Sequence, residues 1–247
     1  MNKFLLIFSL FLSANSYAGC KDKPEIIAVI DTGFGYLGYG KEAKLCPFGH
    51  RDFTETKLYS GTKNPYTPIV PIDVNGHGTN VVGIIESYAR AAHINYCILV
   101  LKYYVSTCSN NMTATILSLQ EAIKLGANYI NYSSGGTDPS NQEKFEIERF
   151  LNGGGIFVTA AGNQGANLDL RNSLYPAMYD KRIVVVGMLE KNGVQSTISN
   201  YGKVVNRWEI GRNVVGYNII RTGTSQATAV AMGKIVAQSK NKCDIGK

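Results

Sequence analysis

The sequence predicts an α/β fold: one mainly parallel central sheet with helices on both faces. Three observations carry that prediction. Apolar runs of strand length recur at 26–30, 96–101, 127–132, 155–160 and 182–187, of the continuous kind that a sheet buried on both faces requires. Segments with a helical apolar period lie between them, so strand and helix alternate along the chain. A chain of 247 residues, 45% of them apolar, can bury one sizeable core, and it shows no internal repeat, linker or second domain.

Residues 1–18 read as a signal peptide and 19–247 as the single folded domain. Lys3 supplies the positive start, 4–12 the apolar core, and Ser16-Tyr17-Ala18 a small-x-small cleavage site. That apolar run is too short to span a bilayer, so the expectation is export to the periplasm or the medium, with no transmembrane span. Ala18-Gly19-Cys20 resembles the end of a lipoprotein signal, although Tyr17 stands where such signals usually carry Leu. A lipid anchor at Cys20 is therefore the lesser alternative. Five cysteines in an exported chain leave one over. If Cys20 carries lipid, the other four allow three pairings; Cys97 and Cys108 bracket a strand and its following loop and are the expected pair. Their spacing does not suit a zinc site.

The strand at 26–30 ends in Asp31-Thr32-Gly33. Gly33, Gly35 and Gly38 satisfy the dinucleotide pattern, and Asp52 follows at about the right distance. That motif needs its last glycine to open a helix, whereas 39–47 brings Gly40 and Pro47 without an apolar period, so no cofactor site is expected there. Residues 48–75, with Pro65, Pro68 and Pro71, read as a surface loop. His77 then opens a helix that turns Val81, Val82, Ile84, Ile85 and Tyr88 inward. After the strand at 96–101, Asn110 or Asn111 caps a helix carrying Ile116, Leu119 and Ile123 and ending at Gly126. Strand 127–132, helix 142–151, strand 155–160 and strand 182–187 follow. Residues 193–222 read as a peripheral antiparallel region, and a small-residue helix runs from 227 to 238.

In a parallel sheet, reactive groups gather outside the carboxyl ends of the strands, where Asp31 and Asn163 both sit. Ser225 enters a helix N-terminus, where free N–H groups and the dipole favour negative charge. Taken singly, each feature has an ordinary reading: Ser225 as a helix cap, Asp31 as a turn residue, His77 as a structural histidine. Taken together, Asp31, His77 and Ser225 follow the Asp…His…Ser order of one of the known nucleophilic triads.

The motifs match one family. The chain resembles the subtilisin-like (subtilase) serine peptidases at Ala28-Val29-Ile30-Asp31-Thr32-Gly33, His77-Gly78-Thr79, Ala160-Ala161-Gly162-Asn163 and Gly223-Thr224-Ser225-Gln226-Ala227. Weaker likenesses are Ile130-Asn131-Tyr132-Ser133-Ser134-Gly135-Gly136 and Tyr175-Pro176-Ala177-Met178-Tyr179, so the resemblance runs from about 26 to 238. It implies a three-layer subtilisin-like architecture and an exported serine endopeptidase. Ser225 would be the nucleophile, His77 the base, Asp31 its orienter and Asn163 an oxyanion donor. Ser133, Ser134 and Gly135 would pair with a protein or peptide substrate. Leu174 falls where the family usually has a pocket-floor glycine, which implies a shallow pocket and small residues before the cut.

The resemblance implies no cofactor for the chemistry; relatives often bind a structural calcium, but the sequence assigns neither its presence nor its ligands here, and a monomer is expected. Only 19–25 separate the signal from the catalytic region, where relatives carry a long assisting segment, so a separate folding assistant or inhibitor is a possible partner. The chain departs from the family at Asn80, where a histidine is common, and at Ala229 and Val230, where Pro-His is usual. The alternative reading is a catalytically silent module of the same fold that binds peptides or an envelope partner. An esterase would show G-x-S-x-G, which Gly223-Thr224-Ser225-Gln226-Ala227 does not. Net charge is +7, but the charges are scattered and only 17% of residues carry them, so no nucleic-acid partner is expected.

Overall fold

The computed structural model describes residues 23–54, 70–106, 111–170 and 174–241. The signal segment, Cys20, Cys108 and Cys243 lie outside them. In chain order come β1 (Glu25–Asp31), a helical turn α1 (Tyr36–Tyr39), β2 (Arg51–Asp52), α2 (His77–Ala91), β3 (Tyr96–Lys102), α3 (Asn111–Lys124) and β4 (Tyr129–Tyr132). Then follow α4 (Asn141–Asn152), β5 (Ile156–Ala160), β6 (Val184–Leu189), β7 (Arg207–Ile210), β8 (Val214–Gly216), β9 (Ile219–Arg221) and α5 (Thr224–Val236).

Seven strands form one sheet in the order β2-β3-β1-β4-β5-β6-β7, every neighbouring pair parallel. β1 lies inside it, flanked by β3 and β4. Its Ile27, Ala28, Val29 and Ile30 are each 0% exposed, so both faces of the strand need cover. Side chains alternate across a strand. Ile27 and Val29 therefore enter a core with Val81, Val82 and Ile85 of α2 and Ala227 and Ala231 of α5. Ala28 and Ile30 enter a second core with Leu119 of α3 and Ile147 and Phe150 of α4. Cutting one of these isoleucines to alanine costs about 2–5 kcal/mol. The result is a helix–sheet–helix sandwich, as the alternation of elements predicts.

Local signals account for the helix ends. Ser140 caps α4, its hydroxyl accepting from the Glu143 N–H at 3.2 Å. The expected cap at Asn110 lies outside the described residues, while Asn111 is the first residue of α3.

Two expectations need correction. Residues 193–222 are not wholly a peripheral antiparallel region. β7 joins the main sheet parallel to β6, with Val186 opposite Arg207, while β8 and β9 form an antiparallel hairpin. β7 is an edge strand, and its polar Arg207 and Glu209 pair with each other at 2.8 Å, which hides the strand's apolar signature. The second correction concerns the cysteines. Cys97 is bonded to Cys46, not to Cys108, with 4.8 Å between the Cα atoms. Residues 44–46 run beside β3, tied by Cys46 N–H to Ile98 O and Ile98 N–H to Lys44 O at 2.9 Å each, which brings Cys46 against Cys97. Among the described residues no helix is long and apolar enough to cross a membrane.

Candidate active site

The carboxyl ends of β1 and β5 and the N-termini of α2 and α5 meet at one end of the sheet. Asp31 closes β1 with its side chain 5% exposed, and His77 opens α2 with its side chain 22% exposed. Their contact is direct, His77 Nδ1 to Asp31 Oδ1 at 2.7 Å. Asp31 Oδ1 also accepts from the Thr32 N–H at 2.7 Å. The approach of helix to strand depends on Gly78, because a Cβ there would stand 2.3 Å from the Gly33 carbonyl oxygen and 3.2 Å from Asp31 Cβ. The Asp31 charge holds the His77 imidazole pKa above its ordinary value, against the opposing effect of burial. The Asp31 hydrogen bond adds to the rise, Arg221 works against it and Asp73 with it.

Asp73 is the residue that sequence reasoning missed. Gly76 precedes α2 and has no side chain with which to cap it. Asp73 supplies the cap instead. Its Oδ1 accepts from the N–H groups of Asn75 and Gly76 at 2.9 and 2.8 Å, and from Thr32 Oγ1 at 2.9 Å. Its Oδ2 accepts from Thr79 N–H at 2.9 Å and Thr79 Oγ1 at 2.6 Å. Burial pushes the Asp73 pKa up, but these hydrogen bonds outweigh it and hold the carboxyl below its ordinary value. The available signal was an acid four residues ahead of a helix-opening histidine.

Ser225 is the second residue of α5. Its hydroxyl donates to the Ser133 carbonyl at 3.1 Å, and Ser133 Oγ donates to the Ser225 carbonyl at 3.2 Å. The structure thus joins Asp31 to His77, while the Ser225 proton points to Ser133 and not to the imidazole. Asn163 follows β5. Its Oδ1 accepts from Thr224 N–H at 2.8 Å and Thr224 Oγ1 at 3.0 Å. A backbone N–H can only donate, so this contact fixes which end of the amide is oxygen and leaves its NH2 for another acceptor.

A cleft of about 190 Å³ opens beside Ser225, and Ser133, Ser134, Gly135, Asn163 and Leu174 line it. Leu174 is 9% exposed. Its side chain is wedged between two backbone stretches: a Cβ on Gly135 would lie 3.3 Å from Leu174 Cγ, and one on Gly162 3.1 Å from its Cδ2. Behind it, Gly136 and Tyr175 exchange two backbone hydrogen bonds, of 2.9 and 2.8 Å. A depression of similar size lies at the opposite end of the strands, by Glu25, Tyr129 and Gly154, with none of the candidate groups.

Asn80, one of the departures noted above, is 0% exposed and ties three elements together. Its Oδ1 accepts from Gln226 Nε2 at 3.0 Å, and its Nδ2 donates to the Ile219 carbonyl at 2.7 Å and the Val214 carbonyl at 3.3 Å. The hairpin backbone fits closely there, for a Cβ on Gly216 would stand 2.0 Å from the Asn80 carbonyl oxygen. Ala229 and Val230, the other departures, are buried within α5. Among the described residues no three His, Cys, Asp or Glu side chains gather as metal ligands, so the calcium expectation gains no side-chain cluster.

The sequence profile of the Subtilase family matches residues 22–245. A thermostable alkaline protease of Halalkalibacterium halodurans is 32% identical over 218 residues, which cover 81% of this chain and 56% of that protein. Subtilisin DY of Bacillus licheniformis is 26% identical over 196 residues, covering 77% of this chain and 65% of its own. The chain thus spans between 56% and 65% of the length of these two relatives. Among solved structures, a cold-adapted subtilisin-like serine proteinase superposes with a TM-score of 0.68 at 24% identity, over 87% of this chain and 74% of that one. A lanthipeptide protease gives 0.67 at 19% identity, over 86% and 72%. These likenesses show a shared fold, and the profile match over nearly the whole chain shows more: the protein belongs to the Subtilase family.

Proposed function

We propose that the protein is an exported serine endopeptidase. The 2.7 Å contact between Asp31 and His77 is the observation that carries this reading, and Ser225 lines a cleft at the same end of the sheet. Ser225 Oγ rotates from the Ser133 carbonyl toward His77, which takes its proton as the hydroxyl attacks the scissile carbonyl. His77 becomes a cation and Asp31 stabilises it without taking the proton. His77 then returns the proton to the leaving amine, and water releases the acyl group by the same route. The developing oxyanion meets the Asn163 NH2 and the Ser225 N–H at the start of α5; in a subtilisin, loss of such a side-chain donor costs on the order of 10²–10³ in kcat.

Substrate lies as an added strand against Ser133, Ser134 and Gly135. Leu174, wedged beside Gly135, leaves the adjoining pocket room for small side chains before the cut. Export is supported by the signal-like segment at 1–18 and by the Cys46–Cys97 disulfide, a bond that persists in oxidising compartments. The present Ser225 rotamer favours a second reading, a silent peptide-binding module, since its proton is engaged by a backbone carbonyl. One experiment separates the two. A fluorophosphonate should label the wild-type protein covalently and leave Ser225→Ala unlabelled, with casein cleavage lost in parallel. A folded wild-type protein that takes up no label and cleaves nothing would establish the silent module.

A further inference from the structure

We propose that Asp73 is the positioning residue of this site, clasping α2 to the end of β1 so that His77 stands against Asp31. The inference rests on the peptidase reading for its consequence in catalysis, but its geometry stands apart from it.

An ordinary helix cap accepts from one or two N–H groups of its own helix. Asp73 does that through Gly76 and Thr79, and it also accepts from Thr32 Oγ1 across a separation of 41 residues. Thr32 Oγ1 in turn accepts from the Gly78 N–H at 2.9 Å. Thr32 is the chain neighbour of Asp31, and Gly78 that of His77. The clasp therefore grips both members of the pair at the adjoining residue. Thr79 extends it, since its Oγ1 donates to Asp73 and accepts from the Gly35 N–H at 2.9 Å.

The strap that carries Asp73 is held from two sides. Phe34 N–H donates to the Pro71 carbonyl at 2.8 Å and Asp73 N–H to the Phe34 carbonyl at 3.2 Å. Lys102 Nζ, 3.1 Å from Asp52, donates to the Ile72 carbonyl at 3.0 Å. Asp73 is thus fixed relative to the sheet before it fixes the helix.

Only a carboxylate suits the position. Every contact of its two oxygens is with a donor, and the Gly76 and Thr79 N–H groups cannot reverse their role. An asparagine of the same size would set an NH2 against one of them. A displacement of about 1 Å at a reacting group costs on the order of 10²-fold in rate.

The test uses Asp73→Asn and Thr79→Val alongside the full wild-type chain. For Asp73→Asn, kcat on a peptide substrate should fall on the order of 10²-fold with KM within about twofold. The acid limb of the kcat/KM profile should move to lower pH, because the Asp73 charge that helps to raise the His77 pKa is gone while Arg221 remains. Thr79→Val keeps the backbone donor and should show a smaller fall in kcat in the same direction, which covers the case in which Asp73→Asn fails to fold. The downfield proton NMR signal of the His77 Nδ1–H should broaden or shift upfield in both variants, whether or not the protein cleaves peptides. A melting temperature lowered with kcat, pH profile and NMR signal unchanged would make Asp73 a plain stability cap and overturn the proposal. Absence of wild-type cleavage with the NMR change intact would overturn the peptidase reading and leave the clasp standing.

Discussion

Opening the Cys46–Cys97 bond offers the largest stability change that can be worked from the structure. The bond closes a loop with a sequence separation of 51, and that loop contains His77 and all of α2. Constraining such a loop removes unfolded-state entropy worth about 4 kcal/mol at 25 °C. Bonding Cys97 to Cys108 instead would close a far shorter loop, worth roughly 3 kcal/mol. The assay is guanidinium unfolding of Ser225→Ala, which prevents self-digestion, with and without dithiothreitol. A guanidinium slope of about 4 kcal/mol per molar implies that reduction lowers the midpoint by about 1 M. Peptide mapping under non-reducing conditions must recover Cys46 and Cys97 in one fragment pair. Active wild-type protein, briefly reduced in native buffer, should keep most of its kcat, since neither sulfur touches the site. Equal midpoints for the oxidised and reduced forms would refute the loop-entropy reasoning, and a Cys97–Cys108 fragment would refute the pairing itself.

Further outcomes are expected at the site. Gly78→Ala should lower kcat by at least about 10²-fold, because the new Cβ forces α2 away from Gly33 and Asp31; a crystal structure with the His77–Asp31 distance unchanged would refute that. Arg221 donates to the Asn75 carbonyl and, at 3.1 Å, to Asn75 Oδ1, and its charge lowers the His77 pKa. Arg221→Gln therefore raises that pKa, and because the base must be neutral, the acid limb of kcat/KM moves to higher pH; no movement, or movement the other way, contradicts the assigned electrostatics. Leu174→Gly should raise kcat/KM for phenylalanine relative to alanine before the cut by on the order of tenfold or more, read from a peptide series. Thr224→Val removes one anchor of the Asn163 oxygen and should lower kcat with little change in KM, checked by steady-state kinetics.

Much of this arrangement was legible in the chain because the relevant residues act locally. The run at 26–30 is apolar throughout and could only be a strand covered twice, and Asp31 at its end falls at the site by topology. His77 among glycines marked the start of a helix; the close crossing that Gly78 permits came only with the structure. What stayed hidden depends on partners distant in sequence. Arg207 and Glu209 fell within a stretch that reads as a peripheral antiparallel region until Val186 and Met188 are laid beside them. Cys46 meets Cys97 because 44–46 run along β3, a contact with no local pattern. Asp73 looked like one more polar loop residue, since its bond to Thr32, 41 residues away in sequence, has no local pattern. The Ser225 rotamer was equally beyond reach, being a choice between two acceptors that no composition encodes.

The β8–β9 hairpin leaves little room for drift on its inner side. A single methyl on Gly216 would strike the α2 backbone, and one on Gly83 would come within 2.6 Å of the Tyr217 nitrogen. On the outer side, Val215 and Ile220 are 55% and 64% exposed. Diversity introduced into this hairpin, by nature or by a library, should therefore accumulate on one side only, with Gly216 returned unchanged from any selection that demands a working enzyme.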